Sequence, residues 1–306
     1  MRLRKLAVMA VLSMAMAVVG QARAEEVSHV YQGRTLVAEL TLAEGKVLQD
    51  GVILMVHGTL AHKDMEIMKS LREALGDRGH STLAINLSLG LSNRHGMYDC
   101  ATPHRHKHTE ALTDIGAWLT WLHEQKVDSV TLMGHSRGGN QVAWYAFEKD
   151  APLVKSLVLL APMTWTPGRD AKAYKERYGV DLKTVMRPAE RLVGVGRGHE
   201  MLEGIDFLNC PKATVAAGAL VDYYIVDQRR DTPALLGGIY RPILVIAGSN
   251  DTVFPDLPEK VAAREHKHVT LRVIEGADHF FQDLFVEDVA DAVVEFLAKT
   301  AKAAAK

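Results

Sequence analysis

The sequence predicts an α/β protein built on a mostly parallel, doubly wound sheet with helices on both faces and a small cap insertion. Short apolar runs alternate with segments of helical period along almost the whole chain. Most of those runs are dense in Val, Ile and Leu instead of alternating with polar residues, the pattern of strands covered on both faces. The alternation breaks once, over 161–210, where about fifty residues separate consecutive strands; strands separated by helices otherwise imply a parallel sheet.

Strands are expected at 34–42, 51–56, 81–87, 129–133, 153–160, 242–247 and 269–274. Helices fit 64–77, 110–124, 138–149, 213–226, 258–265 and 286–298. In 110–124, Ala111, Leu112, Ile115, Trp118, Leu119 and Leu122 form one stripe opposite Thr113, Thr120 and Glu124, so Trp118 and Trp121 read as helix packing. The insertion at 161–210 is expected over the carboxyl ends of the strands, where such sheets bind ligands. Its Gly194-Val195-Gly196-Arg197-Gly198 run lacks the G-x-G-x-x-G spacing and a preceding strand, and reads as a turn rather than a phosphate loop.

The amino terminus stands apart from this pattern. Arg2, Arg4 and Lys5 precede an apolar run over 6–19, and Ala22-Arg23-Ala24 is a small-x-small cleavage site. This is the arrangement of a secretory signal peptide; a membrane anchor would need roughly 20 apolar residues, more than the run supplies. Cleavage after Ala24 leaves 282 of 306 residues and removes four cations, shifting the formal charge from −1 to −5. A periplasmic or secreted protein without a membrane span is expected. Cys100 and Cys210 can then form a disulfide, the alternative being two buried thiols.

With 24% charged residues, ten prolines and two cysteines, the chain is neither disordered, collagen-like nor a disulfide miniprotein. It lacks the basic surplus that nucleic-acid binding requires. A small molecule is the expected partner.

The chemistry centres on Gly134-His135-Ser136-Arg137-Gly138. The pentapeptide follows the apolar run 130–133 and opens a helix, the context in which G-x-S-x-G forms a tight strand-to-helix turn that lifts its serine clear of the sheet. A serine hydroxyl needs a base, and the base needs an acid to orient it. The strand at 242–247 runs into Gly248-Ser249-Asn250-Asp251, and that at 269–274 into Glu275-Gly276-Ala277-Asp278-His279. Ser136 is therefore assigned as nucleophile, His279 as general base and then acid, and Asp251 as the orienting acid. Asp278, beside His279 in the chain, cannot readily face it; Asp256 and Asp227 lie further from a strand end. For the oxyanion hole, one donor is expected from the backbone N–H of Arg137 and the other from that of Thr59, or else Leu60, in the His57-Gly58-Thr59-Leu60 turn. Gly58 lets the backbone approach the substrate, and His57 is expected to stabilise the loop rather than act as a base; both are expected among the substrate-binding residues.

From about Arg34 to Leu297 the chain resembles the α/β-hydrolase superfamily, on the strength of the His57-Gly58 turn, the Ser136 elbow, the 242–251 segment and Gly276-Ala277-Asp278-His279. The resemblance implies a serine hydrolase needing no metal or other cofactor, most often acting on carboxylic esters, with a cap after the sixth strand, where 161–210 lies. The turn at His57 departs from the His-Gly-Gly-Gly pattern of one esterase branch. Esters or thioesters are the expected substrates; a peptidase or amidase, an acyltransferase, and a ligand-binding protein on a retained fold are the alternatives. Met163, Trp165 and Tyr223 are candidates for lining an acyl pocket. His104, His106 and His108 alternate with Arg105 and Lys107, which would oppose a bound metal ion, so they are expected to form a solvated basic loop or a surface for an acidic group.

Overall fold

The computed structural model describes residues 23–304. The expected signal peptide lies outside the described residues except for Arg23 and Ala24, which begin the first strand, β1 (Arg23–Tyr31). The chain continues through β2 (Arg34–Leu42), β3 (Val52–Val56), α1 (Glu66–Asp77), β4 (Thr82–Ile85), α2 (Glu110–Glu124), β5 (Val130–His135), α3 (Arg137–Glu148) and β6 (Val154–Leu160). It then leaves the main sheet for α4 (Arg169–Tyr178), α5 (Leu182–Gly194), the strands β7 (Met201–Phe207) and β8 (Cys210–Ala216), α6 (Ala217–Tyr224) and α7 (Thr232–Leu235). It returns with β9 (Ile243–Gly248), α8 (Leu257–Ala262), β10 (Val269–Ile274) and α9 (Phe285–Ala304).

The sheet has the order β1-β2-β4-β3-β5-β6-β9-β10. Only the β1–β2 and β2–β4 pairs are antiparallel; β4, β3, β5, β6, β9 and β10 run parallel to one another. Along β3, Leu54 and Val56 enter one core with Trp118, Leu132 and Val142, while Ile53 and Met55 enter the other with Leu71, Leu75 and Val293. That double burial is why the central strands read as unbroken apolar runs.

Three expectations need correction. β1 pairs with β2 along its whole length although no strand was expected there. Its residues alternate between exposed and half-buried and include Glu25, Glu26 and Ser28, so it shows none of the apolar density that marks the inner strands. The helix expected at 213–226 begins only at Ala217; residues up to Ala216 form β8, because β7 offers them an antiparallel partner, with Leu202 opposite Val215 and Ile205 opposite Ala213. Finally, the excursion from the main sheet continues past 210 to the start of β9, so the cap is larger than 161–210.

The loop between β4 and α2 is fastened to this cap. Cys100 and Cys210 form a disulfide, with Cα atoms 5.3 Å apart. Four residues later His104 donates its N–H to the Thr214 carbonyl at 2.8 Å and accepts one from Ala216 at 2.8 Å.

Candidate active site

Ser136 sits between β5 and α3 at φ +58°, ψ −122°, a conformation that L residues rarely adopt. Its neighbours make the turn possible. A Cβ on Gly134 would lie 2.4 Å from the Gly138 carbonyl oxygen, and one on Gly138 would lie 2.3 Å from that of His57. Backbone atoms occupy both places, so the elbow accepts only glycine at either position.

The serine hydroxyl donates to Nε2 of His279 at 2.9 Å. His279 Nδ1 donates in turn to Oδ2 of Asp251 at 2.8 Å. The other oxygen of Asp251 accepts the N–H groups of Val253 at 2.7 Å and Phe254 at 3.0 Å. Burial alone would raise the Asp251 pKa, but the His279 hydrogen bond and these two amides outweigh it and hold the carboxyl below its ordinary value. Asp251 thus remains an acceptor, which puts the His279 proton on Nδ1 and leaves Nε2 able to take one from Ser136. The three residues lie at the carboxyl ends of β5, β9 and β10, brought together from three loops by the parallel sheet.

The competing acids are engaged elsewhere. Asp278 accepts the N–H of Phe280 at 2.9 Å. Asp256 holds Thr164 at 2.6 Å and pairs with Arg169 and Lys260. Asp227 pairs with Arg229.

The turn after β3 is set by His57. Its buried ring donates from Nδ1 to the Gly58 carbonyl at 2.9 Å and accepts at Nε2 from Leu87 N–H at 3.1 Å and Arg94 at 2.9 Å. Burial, with the Arg94 charge adding to it, depresses its pKa to about 3, so the ring is neutral and keeps this tautomer. Because a trans peptide points its C=O and N–H in opposite directions, fixing the Gly58 carbonyl on His57 also fixes the direction of the Thr59 N–H. Gly58 packs so closely on the elbow serine that a Cβ there would lie 3.2 Å from Cβ of Ser136. His57 is therefore a buried brace and not a substrate contact.

His104, His106 and His108 form neither a solvated loop nor a surface; all three are fully buried, while Arg105 and Lys107 between them point outward. The strand-like alternation turns the histidines against the cap. His104 Nδ1 lies 3.2 Å from His106 Nε2, His106 Nδ1 lies 2.9 Å from the Tyr223 hydroxyl, and His108 Nε2 lies 3.1 Å from Oδ1 of Asn140. Burial lowers the pKa to about 4 at His104, to about 3 at His106 and well below its ordinary value at His108, so the cluster is uncharged near neutral pH.

The proposed pocket residues are largely packing. Trp165 is 7% exposed, with its indole N–H on Asp170 and its backbone N–H on Asp231. Tyr223 is 3% exposed and wedged between His106, His108 and Phe207. Met163 lies closer to the serine; its N–H donates to the Ser136 carbonyl at 3.0 Å. Sequence reasoning singled out the amide of Arg137 but not its side chain. The half-buried guanidinium donates to Oγ1 of Thr59 at 3.0 Å and to Nδ1 of His108 at 3.2 Å, and lies 5.3 Å from the centre of the Tyr223 ring. Its position directly after the elbow serine was the available signal.

The sequence pattern of the alpha/beta hydrolase family matches residues 53–296, spanning every element from β3 into α9. The chain belongs to the alpha/beta hydrolase family. Solved structures similar to this hydrolase include Est1E from Butyrivibrio proteoclasticus, at 19% identity and a TM-score of 0.62 over 90% of this chain and 99% of that one. Est1E has also been solved with ferulic acid bound. The esterase Pf2001 of Pyrococcus furiosus is similar at 17% identity and a TM-score of 0.61, covering 91% of each chain. A dienelactone hydrolase from Anabaena variabilis matches at 17% identity and a TM-score of 0.56, over 92% of this chain and 99% of that one. At these identities the similarity is one of fold, and the chemistry of this hydrolase has to be argued from its own site.

Proposed function

We propose that this α/β hydrolase is a serine hydrolase that cleaves carboxylic esters or thioesters through an acyl-enzyme on Ser136. The observation that carries the reading is the continuous hydrogen-bonded chain Ser136–His279–Asp251, anchored on a serine whose backbone is held in a rare conformation. In the first half-reaction, the Ser136 oxygen attacks the substrate carbonyl as His279 Nε2 takes its proton. The imidazolium faces the Asp251 carboxylate and then protonates the leaving alcohol or thiol. Water repeats the sequence on the acyl-enzyme: His279 deprotonates it, and Ser136 recovers its proton as the acid departs. The N–H groups of Arg137 and Thr59 are assigned to the oxyanion, a role worth about 3 to 4 kcal/mol of barrier for one donor in comparable sites. Esters are favoured because two of the structural neighbours named above are described as an esterase and a dienelactone hydrolase.

The test is labelling by a fluorophosphonate, which reacts with an activated serine. The wild-type protein is expected to label and to hydrolyse a short-chain activated ester, and Ser136→Ala to do neither. An unlabelled wild type, or a labelled variant, overturns the assignment.

Export to the periplasm or the medium belongs to the same proposal. It rests on the residue pattern of 1–24 and fits a disulfide, which persists in oxidising compartments. Mass spectrometry of the protein from those fractions is expected to find Glu25 at the amino terminus; retention of Met1 contradicts the processing.

A further inference from the structure

The Arg137 side chain is a cation without a counter-ion beside the nucleophile. Two of its nitrogens are used, Nε on Thr59 Oγ1 and Nη1 on His108 Nδ1, and neither partner carries charge. Among the described residues no carboxylate pairs with it. A second guanidinium, that of Arg230, donates to the Tyr223 carbonyl. Arg230 is 2% exposed and its Nε has no partner. Burial lowers its pKa and the charge of Arg137 lowers it further, while the charges of Asp170, Asp222 and Asp227 act in the opposite sense without outweighing them.

The carboxylates nearest this pair are engaged elsewhere. Asp222 holds the hydroxyl of Thr109 at 2.8 Å, Asp170 the indole of Trp165 at 3.0 Å, and Asp227 the guanidinium of Arg229 at 2.8 Å. Burying a cation without a directly bonded anion is unfavourable, and the charges of the two guanidinium groups oppose each other. A fold that keeps both against Tyr223 leaves an electropositive place next to Ser136, with Arg137 half-buried and Arg230 buried. Thr59 ties that place to the turn beside the scissile carbonyl, since the preceding Gly58 packs on Ser136 itself.

We propose that the substrate carries its own anionic group, a carboxylate a few bonds from the scissile carbonyl, and that Arg137 binds it through the donors left free beside Thr59. The proposal rests on the serine-hydrolase reading above and specifies its substrate class: monoesters or monothioesters of dicarboxylic acids, or esters of a carboxylate-bearing alcohol or phenol. Arg137 is then a specificity-determining residue, and its free guanidinium nitrogen, Nη2, is the group placed to donate to the anion.

The experiment compares matched esters that differ only in the anion. In one arm 4-nitrophenyl hydrogen adipate is set against 4-nitrophenyl hexanoate; in the other, 3-carboxyphenyl hexanoate against phenyl hexanoate. The wild type is expected to prefer the carboxylate-bearing ester by about 10- to 100-fold in kcat/KM in one arm, as befits a charge-assisted hydrogen bond in a partly desolvated site. That arm identifies the half of the ester that bears the charge. Raising the ionic strength from about 0.05 to about 0.5 M should shrink the preference. In Arg137→Gln the ratio of the two rates should fall towards one, and Arg137→Lys should keep part of it. Because the readout is a ratio, a general loss of rate in a variant does not mimic the effect; should the variants fail to fold, the wild-type preference and its salt dependence decide. Equal rates in both arms, or an unchanged ratio in Arg137→Gln, overturns the proposal. If Ser136 labels with fluorophosphonate and the neutral esters turn over without such a preference, this inference fails alone; if Ser136 does not label, the hydrolase reading fails and takes the inference with it.

Discussion

Asp251→Asn isolates the orienting role of the acid from everything else at the site. Asn is isosteric, so its carbonyl oxygen can keep the two N–H groups that Oδ1 now accepts, from Val253 and Phe254. That choice places the amide NH2 where Oδ2 meets His279 Nδ1 at 2.8 Å. Two donors then face each other, and His279 relieves the clash by moving its proton to Nε2. In that tautomer Nε2 cannot accept the proton of Ser136, and base catalysis is lost. Asparagine in place of the acid of a Ser-His-Asp triad costs about 10⁴-fold in kcat, or about 5.4 kcal/mol at 1.36 kcal/mol per decade. Because Asp251 is only 5% exposed and lies behind the imidazole, KM should change little.

The assay is steady-state hydrolysis of an activated ester, with circular dichroism to confirm that the variant is folded. Asp278→Asn is the control, since its carboxylate accepts the Phe280 N–H instead of orienting His279, and it should retain kcat within about 3-fold, the change expected of a group outside the transition state. A loss below tenfold in Asp251→Asn, or an equal loss in Asp278→Asn, would refute the assignment of the acid.

Two further predictions concern stability. The Cys100–Cys210 bridge, 110 residues apart, should contribute about 4.7 kcal/mol in the chain-entropy description, so Cys100→Ser/Cys210→Ser should melt roughly 10 °C or more below the wild type; two titratable thiols in the native protein would contradict the bridge. Burial depresses the pKa of His57 and His106 to about 3, of His135 to about 4, and of His108 well below its ordinary value. Since the folded values lie below the unfolded one, near 6.5, these groups favour folding above that pH and withdraw the contribution as pH falls towards their folded values. The four together should remove about 5 kcal/mol between pH 7.5 and 5.5, and denaturant melts with equal midpoints at the two pH values would refute it.

The hydrogen-bonded arrangement of Ser136, His279 and Asp251 was legible because each member satisfies a local requirement that sequence can show. Ser136 needs glycines two residues away on both sides, and Asp251 and His279 need only to follow strands that the parallel sheet brings side by side. The inner strands were legible for a related reason: Leu54 and Met55 are buried on opposite faces of the same strand, so no polar residue interrupts the run. β1 and β8 lacked such a signature. β1 carries Glu25, Glu26 and Ser28 at the sheet's edge, and its strand conformation comes from pairing with β2. Residues 213–216 are small and, apart from Thr214, apolar and satisfy either period, so β7 decided between helix and strand.

The histidine segment shows how a correct pattern can lead to a wrong environment. Alternation of His with Arg and Lys does place His104, His106 and His108 on one face, but nothing local says whether that face meets solvent or protein. The charges at Arg105 and Lys107 seemed to favour solvent; they mark only the outward side. The inward side is decided by contacts more than a hundred residues away, where Cys210 fixes the start of the loop, Thr214 and Ala216 pair with His104, and Tyr223 receives His106. The same contacts carry the segment's function. By making His108 neutral they leave Nδ1 free to accept from Arg137, which holds the guanidinium against Thr59 with its positive charge uncompensated. A solvated loop at the same positions would let water screen that charge. The burial that hid the segment from sequence reasoning is therefore what keeps the Arg137 charge unscreened for the substrate anion we propose.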